Sequence, residues 1–164
     1  MQQPSAPDMC VPCGEGLVNI RVGAIIVRDG RALMVKCGFA DYCYSVGGRI
    51  KFGETAEQAV VREVFEETGY RLSVDRLGYV NEVYFINDNP EALGKPVYEL
   101  AFYFYMNVPA DFALASDHLG DGEEKFVWVA PDDARTLYPN FMREAITDPK
   151  PYVVHDVRND LRRA

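Results

Sequence analysis

Three features are missing from this sequence: a long apolar run, a surplus of basic residues and a second closely spaced cysteine pair. No apolar stretch approaches the roughly 20 residues that a membrane-spanning helix needs, so we expect no membrane segment. The first eleven residues are polar and contain proline, unlike the basic patch and hydrophobic run of a secretory signal. These absences favour a cytoplasmic location.

Positive charge is scarce throughout the chain. Seventeen lysines and arginines stand against 25 aspartates and glutamates, which gives a net charge of −8 and a sequence pI near 4.8. This balance argues against a nucleic-acid partner, because binding to phosphate backbones needs a dense basic surface. An acidic protein also repels a small phosphate substrate unless cations intervene, so a bound metal ion is worth seeking.

The four cysteines contain one pair with the spacing of a zinc knuckle. Cys10 and Cys13 are two residues apart and precede a glycine, but a structural zinc ion usually takes four ligands. Cys37 and Cys43 are too far apart to form a second knuckle. Free thiols in a reducing compartment are the favoured interpretation, and zinc binding is the alternative.

The length of 164 residues suits one domain with a real hydrophobic core. Residues 1–16 contain three prolines and predict a flexible N-terminal arm. Residues 17–150 form the predicted folded domain, and residues 151–164 a C-terminal tail.

Strand-like segments alternate with one strong helix. Apolar or β-branched runs predict strands at residues 22–27, 32–35, 42–46, 79–86, 97–106 and 126–129, with a hairpin turn at Asp29-Gly30. The strong helix starts at Thr55, where Gln58 completes a capping box, and ends at Gly69. Short helices are expected at residues 132–137 and 140–146. This order predicts the α/β class, with a mixed sheet covered by helices on both sides.

One face of the strong helix carries three carboxylates. At 100° per residue Glu63, Glu66 and Glu67 share a narrow sector. The opposite face can pack on the sheet and carries Val61, Val64, Phe65 and Thr68. Stacked like charges repel, and the helix C-terminus adds to the cost. A hard divalent ion such as Mg²⁺ or Mn²⁺ would offset it, and the alternative is a solvated acidic face.

The loop before this helix favours the metal-binding interpretation. Gly47 and Gly48 let the backbone approach a ligand closely, and we expect Gly48 and Arg49 to contact a substrate. Arg62 lies on the flank of the acidic face, where it can pair with Glu54. A loop and a helix joined by paired charges would make a rigid metal cradle.

The segment from Gly48 to Tyr70 resembles the signature of the Nudix hydrolases (MutT-like), G-x5-E-x7-R-E-U-x-E-E-x-G-U. The residues at its fixed positions all agree: Gly48, Glu54, Arg62, Glu63, Glu66, Glu67 and Gly69. Tyr70 stands where an aliphatic residue is usual. The resemblance implies an α/β/α sandwich with a mixed β-sheet and a catalytic loop–helix over roughly residues 18–150.

The resemblance also implies a chemistry. Glu63 and Glu67 would ligate Mg²⁺ or Mn²⁺, with contributions from Glu66 and the carbonyl oxygen of Gly47. Arg62 and Glu54 would form an orienting salt bridge beside the catalytic Glu63. A metal-bound water would attack a phosphorus of a nucleotide-like diphosphate substrate, such as a nucleoside triphosphate, ADP-ribose or a nucleotide sugar. A homodimer is a further expectation from the family.

The general base stays open between Glu63 and a glutamate in a later loop. Glu123 and Glu124 are the candidates there, either as base or as further metal ligands, and a solvated acidic loop is the alternative. His118 in the same loop is a candidate substrate contact.

Aromatic strand residues could stack on a base or fill the core, and the candidates are Tyr84, Phe85, Tyr103 and Tyr105. Two other functions remain as hypotheses. One is a nucleotide-binding sensor without turnover, against which the intact carboxylate set argues. The other is an isomerase acting on a prenyl diphosphate, for which Cys43 would be the nearby thiol.

Overall fold

The structure is a computed structural model of the chain, and it describes residues 6–88, 93–120 and 122–161. The strands are β1 (Cys10–Cys13), β2 (Gly16–Ile25), β3 (Val27–Arg28), β4 (Arg31–Lys36), β5 (Tyr42–Ser45), β6 (Gly47–Arg49), β7 (Ser73–Ile86), β8 (Pro96–Asn107), β9 (Lys125–Val129), β10 (Thr136–Tyr138) and β11 (Val154–Asn159). The helices are α1 (Ala56–Thr68) and α2 (Met142–Thr147).

The strands form two sheets. One has the order β1-β2-β8-β7-β11, with β6 also paired to β2, and the other has the order β10-β5-β4-β3, with β9 paired to β4. Parallel and antiparallel pairs occur in both sheets, which confirms the predicted α/β fold with mixed pairing. The strands are divided between two sheets, whereas the sequence pattern suggested one.

Two apolar clusters hold the sheets and helices together. The first joins Val60 and Val64 of α1 to buried residues of β2, β4 and β8. The second places Met142 and Ala145 of α2 against the opposite faces of β2, β4 and β8. Each helix therefore closes one of the two halves of the core.

The hairpin and the long helix are confirmed. Asp29 and Gly30 both have positive φ angles, 51° and 69°, as a tight two-residue hairpin turn requires. Thr55 accepts a hydrogen bond from the Gln58 backbone, whose side chain bonds back to the Thr55 backbone, and Gly69 caps the end with φ 74°.

The predicted apolar face of α1 is wrong at Phe65. This side chain is 43% exposed, because Ala59, Val60 and Val64 face the sheets and turn Phe65 outward. The guanidinium of Arg71 lies 4.8 Å from the Phe65 ring centre and covers it from one side.

The predicted helix at residues 132–137 is also wrong. Thr136–Tyr138 is strand β10, parallel to β5, and Leu137 is buried beside its partner Cys43. The Asp133 carboxylate accepts a hydrogen bond from the Arg135 backbone, and such a local bond competes with helix formation. The second short helix is confirmed as α2, close to the predicted residues 140–146.

Both chain ends contribute strands. Within the predicted arm, β1 pairs antiparallel with β2 and so satisfies its backbone groups within the sheet. The predicted tail contains β11, which pairs parallel with β7. Residues 1–5 and 162–164 lie outside the described residues. Within the described part of the chain, no helix is long and apolar enough to cross a membrane.

We expect the substitution Thr55→Ala to lower the free energy of unfolding by about 1 kcal/mol, because it removes the acceptor of the capping box. Thermal unfolding followed by circular dichroism should show a decrease of about 2–4 °C. Thr147→Ala, at the exposed end of α2, is the matched control and should change the melting temperature less. Equal decreases in the two variants would contradict the capping role.

Candidate active site

Arg62 connects the loop before α1 to the carboxylates of the helix. Its Nε donates to Glu54 Oε2 at 3.0 Å and its Nη2 to Glu54 Oε1 at 2.6 Å. Nη2 also donates to the carbonyl oxygen of Arg49, while Nη1 donates to Glu63 at 2.7 Å and Glu66 at 3.0 Å. All five N–H groups of the guanidinium can therefore be engaged. The predicted salt bridge between Arg62 and Glu54 is confirmed.

Glu54 is held ionised by these contacts. The Arg62 guanidinium, together with the backbone N–H of Lys51, holds the pKa of the Glu54 carboxyl below its ordinary value, although partial burial opposes this. The Lys51 N–H donates to Glu54 at 2.7 Å. The pair thus fixes the loop against the helix in one arrangement.

Glu67 lies in a different environment on the same helix. Its Oε1 accepts a weak hydrogen bond of 3.3 Å from the Gly47 backbone N–H, and its Oε2 is buried with no hydrogen-bond partner among the described residues. Burial, together with the nearby carboxylates of Glu63 and Glu124, raises the pKa of Glu67 to about 8, against the opposing effects of the Gly47 N–H and Arg21. Among the described residues, no cationic side chain forms an ion pair with Glu67 when its carboxylate is ionised.

The two glycines before the helix are required by close packing. A Cβ atom on Gly48 would lie 2.5 Å from the Glu63 carboxylate, and one on Gly47 would lie 2.2 Å from the Val22 carbonyl oxygen. Gly47 also has a φ of 144°. A side chain at Gly48 would therefore clash with the acidic face of α1, and a side chain at Gly47 would clash with β2.

A cavity of about 750 Å³ opens beside Glu67, between the two sheets. Its wall includes Gly47, Arg49, Glu67 and Glu124 from the predicted site, together with Arg21, which was not predicted. Arg21 lies 3.8 Å from Glu99, and burial lowers its pKa while Glu99, Tyr103, Glu67 and Glu63 raise it to a net value above the ordinary one. Arg21 therefore carries a positive charge.

Glu124 is the later-loop glutamate that reaches the cavity. The Tyr44 hydroxyl lies near the Glu124 carboxylate, which, after burial, raises the pKa of Tyr44. The wall does not include Glu123 among its described residues, although a Cβ atom on Gly38 would lie 3.2 Å from that of Glu123. The structure thus separates two candidates that the sequence left equivalent.

The loop carrying Glu124 is attached to the end of α1. Phe112 is buried in the core cluster of α1, and the Ala115 N–H donates to the Thr68 carbonyl oxygen at 3.1 Å. Tyr70, the departure from the usual motif, donates its hydroxyl to Asp111 at 3.0 Å and contacts the Phe112 ring edge-on. A tyrosine at this position therefore helps to anchor the loop.

The remaining predicted residues have mixed outcomes. Phe85 and Tyr103 line the cavity, whereas Tyr84 packs on Tyr98 and Tyr105 donates to the Ala145 carbonyl oxygen. The backbone of His118 forms an isolated β-bridge with that of Lys125, and His118 is not among the described residues of the cavity wall. Cys43 is fully buried, which argues against its use as an isomerase thiol.

The residues of the predicted cradle fit a divalent cation in their donor chemistry. The unpartnered buried oxygen of Glu67 is the observation that calls for a cation, and Glu63 lies next to it on the helix face. Over residues 6–88, 93–120 and 122–161 no three His, Cys, Asp or Glu side chains are positioned around one point for a metal ion, including around Cys10 and Cys13. Arg62 explains part of this, since it holds Glu63 and Glu66.

We expect Arg62→Lys to lower the free energy of unfolding by about 1–3 kcal/mol, since one ammonium group cannot replace five N–H donors in a fixed fork. Chemical denaturation measures this change. Arg31→Lys, at an exposed position of β4, is the matched control and should alter stability by less than about 0.5 kcal/mol. A fully stable Arg62→Lys protein would show that the network is not structural.

We expect Glu67→Gln to stabilise the metal-free protein at pH 8. The unfolded chain loses this proton near pH 4.5 and the folded chain near 8, so the wild type loses stability as the pH rises between these values. The variant cannot ionise and should gain about 1 kcal/mol or more at pH 8, or about 2–4 °C, with little gain at pH 5. Melting temperatures measured with a chelator from pH 5 to 8 test this, and a pH-independent difference would contradict it.

Comparison with known proteins places this site in a family. A model of the NUDIX domain matches residues 18–148. The chain is 32% identical over 117 residues to an ADP-ribose pyrophosphatase from Methanocaldococcus jannaschii, covering 60% of this chain and 68% of that protein. It is 40% identical over 62 residues to a MutT-like protein from Streptomyces ambofaciens, covering 37% of this chain and 40% of that protein.

A solved structure agrees with this assignment. The MutT NUDIX hydrolase from Burkholderia pseudomallei superposes with a TM-score of 0.55 at 26% identity, covering 81% of this chain and 98% of that one. Residues 18–148, which match the family model, contain the whole loop–helix built around Arg62 and Glu67. The chain belongs to the Nudix family.

Proposed function

We propose that this protein is a hydrolase that cleaves the diphosphate linkage of a nucleoside diphosphate joined to another group, with Mg²⁺ or Mn²⁺ as its cofactor. The observation that carries the proposal is the buried, unpartnered Glu67 oxygen at the edge of the cavity, beside carboxylates that Arg62 orients. The similarity to an ADP-ribose pyrophosphatase supports the same class of reaction.

The protein side chains have separate roles in this proposal. Glu67 and Glu63, with Glu66 and the Gly47 carbonyl, would hold the metal ion, which when bound activates water and offsets charge on the phosphoryl oxygens. Arg62 and Glu54 position the helix carboxylates and do not touch the substrate. Glu124, which lines the cavity near Tyr44, would take a proton from the attacking water.

The cavity wall supplies positive charge for the diphosphate on the same side as Glu67. Arg21 and Arg49 face each other across the paired strands β2 and β6, and both line the cavity. The Nε of Arg49 donates to Asn19 at 3.2 Å, which fixes its direction. Two arginines and a metal ion would offset the repulsion expected of a protein with a net charge of −8.

A turnover screen tests the proposal. The purified protein is incubated with Mg²⁺ or Mn²⁺ and a panel of nucleoside triphosphates, ADP-ribose and nucleotide sugars, with products identified by mass spectrometry. We expect metal-dependent release of a nucleoside monophosphate from at least one substrate. Metal and nucleotide binding without turnover across the panel would replace the hydrolase with the nucleotide sensor. The homodimer and the cytoplasmic location stay predictions.

We expect Glu67→Gln to lower turnover by about 100-fold or more while the protein stays folded, because the amide cannot supply the anionic ligand. The matched control is Glu57→Gln, an exposed glutamate in the first turn of the same helix. It should retain wild-type turnover. Near-normal turnover in a folded Glu67→Gln variant would remove Glu67 from the site.

A further inference from the structure

The cavity extends from Glu67 to the opposite edge of the six-stranded sheet. In the paired strands, Arg21 of β2 lies beside Ala101, Ala101 beside Asn81, and Asn81 beside Asp156 of β11. Three strand spacings separate Arg21 from Asp156, which is about 14 Å. This distance leaves room for a chemical group beyond a diphosphate bound near Arg21.

Buried amides orient two carboxylates of the cavity wall, Asp156 at this far part and Glu99 beside Arg21. Asn81 is 6% exposed and donates its side-chain N–H to Asp156 at 2.8 Å. Asn19 is also 6% exposed and donates to Glu99 at 2.8 Å. All four residues line the cavity. A carboxylate has about four acceptor sites, so each can still accept hydrogen bonds from a ligand.

The negative charge of the wall disfavours binding of an additional anionic group near Asp156. The described wall residues include six carboxylates, from Glu67, Asp88, Glu99, Glu124, Asp156 and Asp160, and only three arginines. One of these arginines, Arg158, is paired with Asp160 at 2.8 Å. A third phosphate close to Asp156 would be repelled, whereas hydroxyl groups are donors that carboxylates accept well.

We propose that Asp156 binds the hydroxyl groups of an uncharged sugar joined to the far phosphate, so that the substrate is a nucleoside diphosphate sugar rather than a nucleoside triphosphate. This inference rests on the proposed function for its diphosphate. Asp156 belongs to β11, outside the residues 18–148 that match the family domain. The sugar-binding part of the cavity is thus partly built by a strand that the family pattern does not contain.

Binding measured by calorimetry tests the inference separately from turnover. Wild-type protein and Asp156→Asn are titrated with ADP-ribose, a UDP-hexose, ATP and UTP, with Ca²⁺ as the counterion. The Asn81 N–H can still bond to the new amide oxygen, so the variant should fold. Asp75→Asn, on an exposed part of β7, is the matched control.

We expect the wild type to bind the sugar-linked ligands at least tenfold more tightly than the triphosphates. Asp156→Asn should weaken binding of the sugar-linked ligands by about 10- to 100-fold, the loss typical of a hydrogen bond to a charged group. Binding of ATP and UTP should stay constant or become tighter, because a negative charge is removed. Asp75→Asn should change neither class.

Two results would overturn the inference. One is tighter binding of triphosphates by the wild type, or an equal loss for both ligand classes in Asp156→Asn. The other comes from the 2′-deoxy form of ADP-ribose, modified on the adenosine ribose. If this ligand loses its sensitivity to Asp156→Asn, the carboxylate binds the nucleoside ribose and not the second sugar. The proposed function fails by a different result, which is the absence of turnover in the screen, whatever the binding pattern is.

Discussion

The five-donor network of Arg62 is the interaction on which the rest of the site depends. Three glutamates near the C-terminus of α1 repel one another and the helix dipole. Arg62 offsets part of this cost by bonding to Glu63 and Glu66, and it ties the same helix to Glu54 and the Arg49 carbonyl oxygen. A lysine could not make these contacts at once, because its donors diverge from one atom. The network therefore both stabilises the acidic face and fixes the loop beside it.

Glu67 is the carboxylate that this network leaves out. Arg62 forms ion pairs with Glu63 and Glu66, whereas Glu67 has, among the described residues, only the distant charge of Arg21 and a weak bond from Gly47. Its burial without a strong partner is costly, and such a cost is retained where a ligand offsets it. The difference between Glu67 and its two neighbours is thus a difference in partners. It identifies the position where a cation would stabilise the protein most.

The local features of the site were predicted well from the sequence, whereas several residues of the cavity wall were not predicted. The capping box, the hairpin turn and the Arg62–Glu54 pair all depend on residues close in sequence, so their spacing was sufficient. Residues 132–137 were assigned to a helix because Pro131 precedes them, and the parallel pairing of β10 with β5 is a long-range contact that such a local signal does not record. Arg21, Asn81 and Asp156 were missed for the same reason. Each is an ordinary polar residue in a strand, and only the sheet register brings them to one cavity.

The choice between Glu123 and Glu124 illustrates the same limit at one position. Adjacent residues in an extended loop point in different directions, so a sequence can nominate both and distinguish neither. The structure distinguishes them because Glu124 lines the cavity near Tyr44 of β5, and because Phe112 and Tyr70 anchor the loop to the end of α1. The Tyr70 departure from the family motif thereby acquires a physical role. Tyr70 links the helix that carries Glu63, Glu66 and Glu67 to the loop that carries Glu124. This one side chain therefore helps to fix the two groups of carboxylates relative to each other.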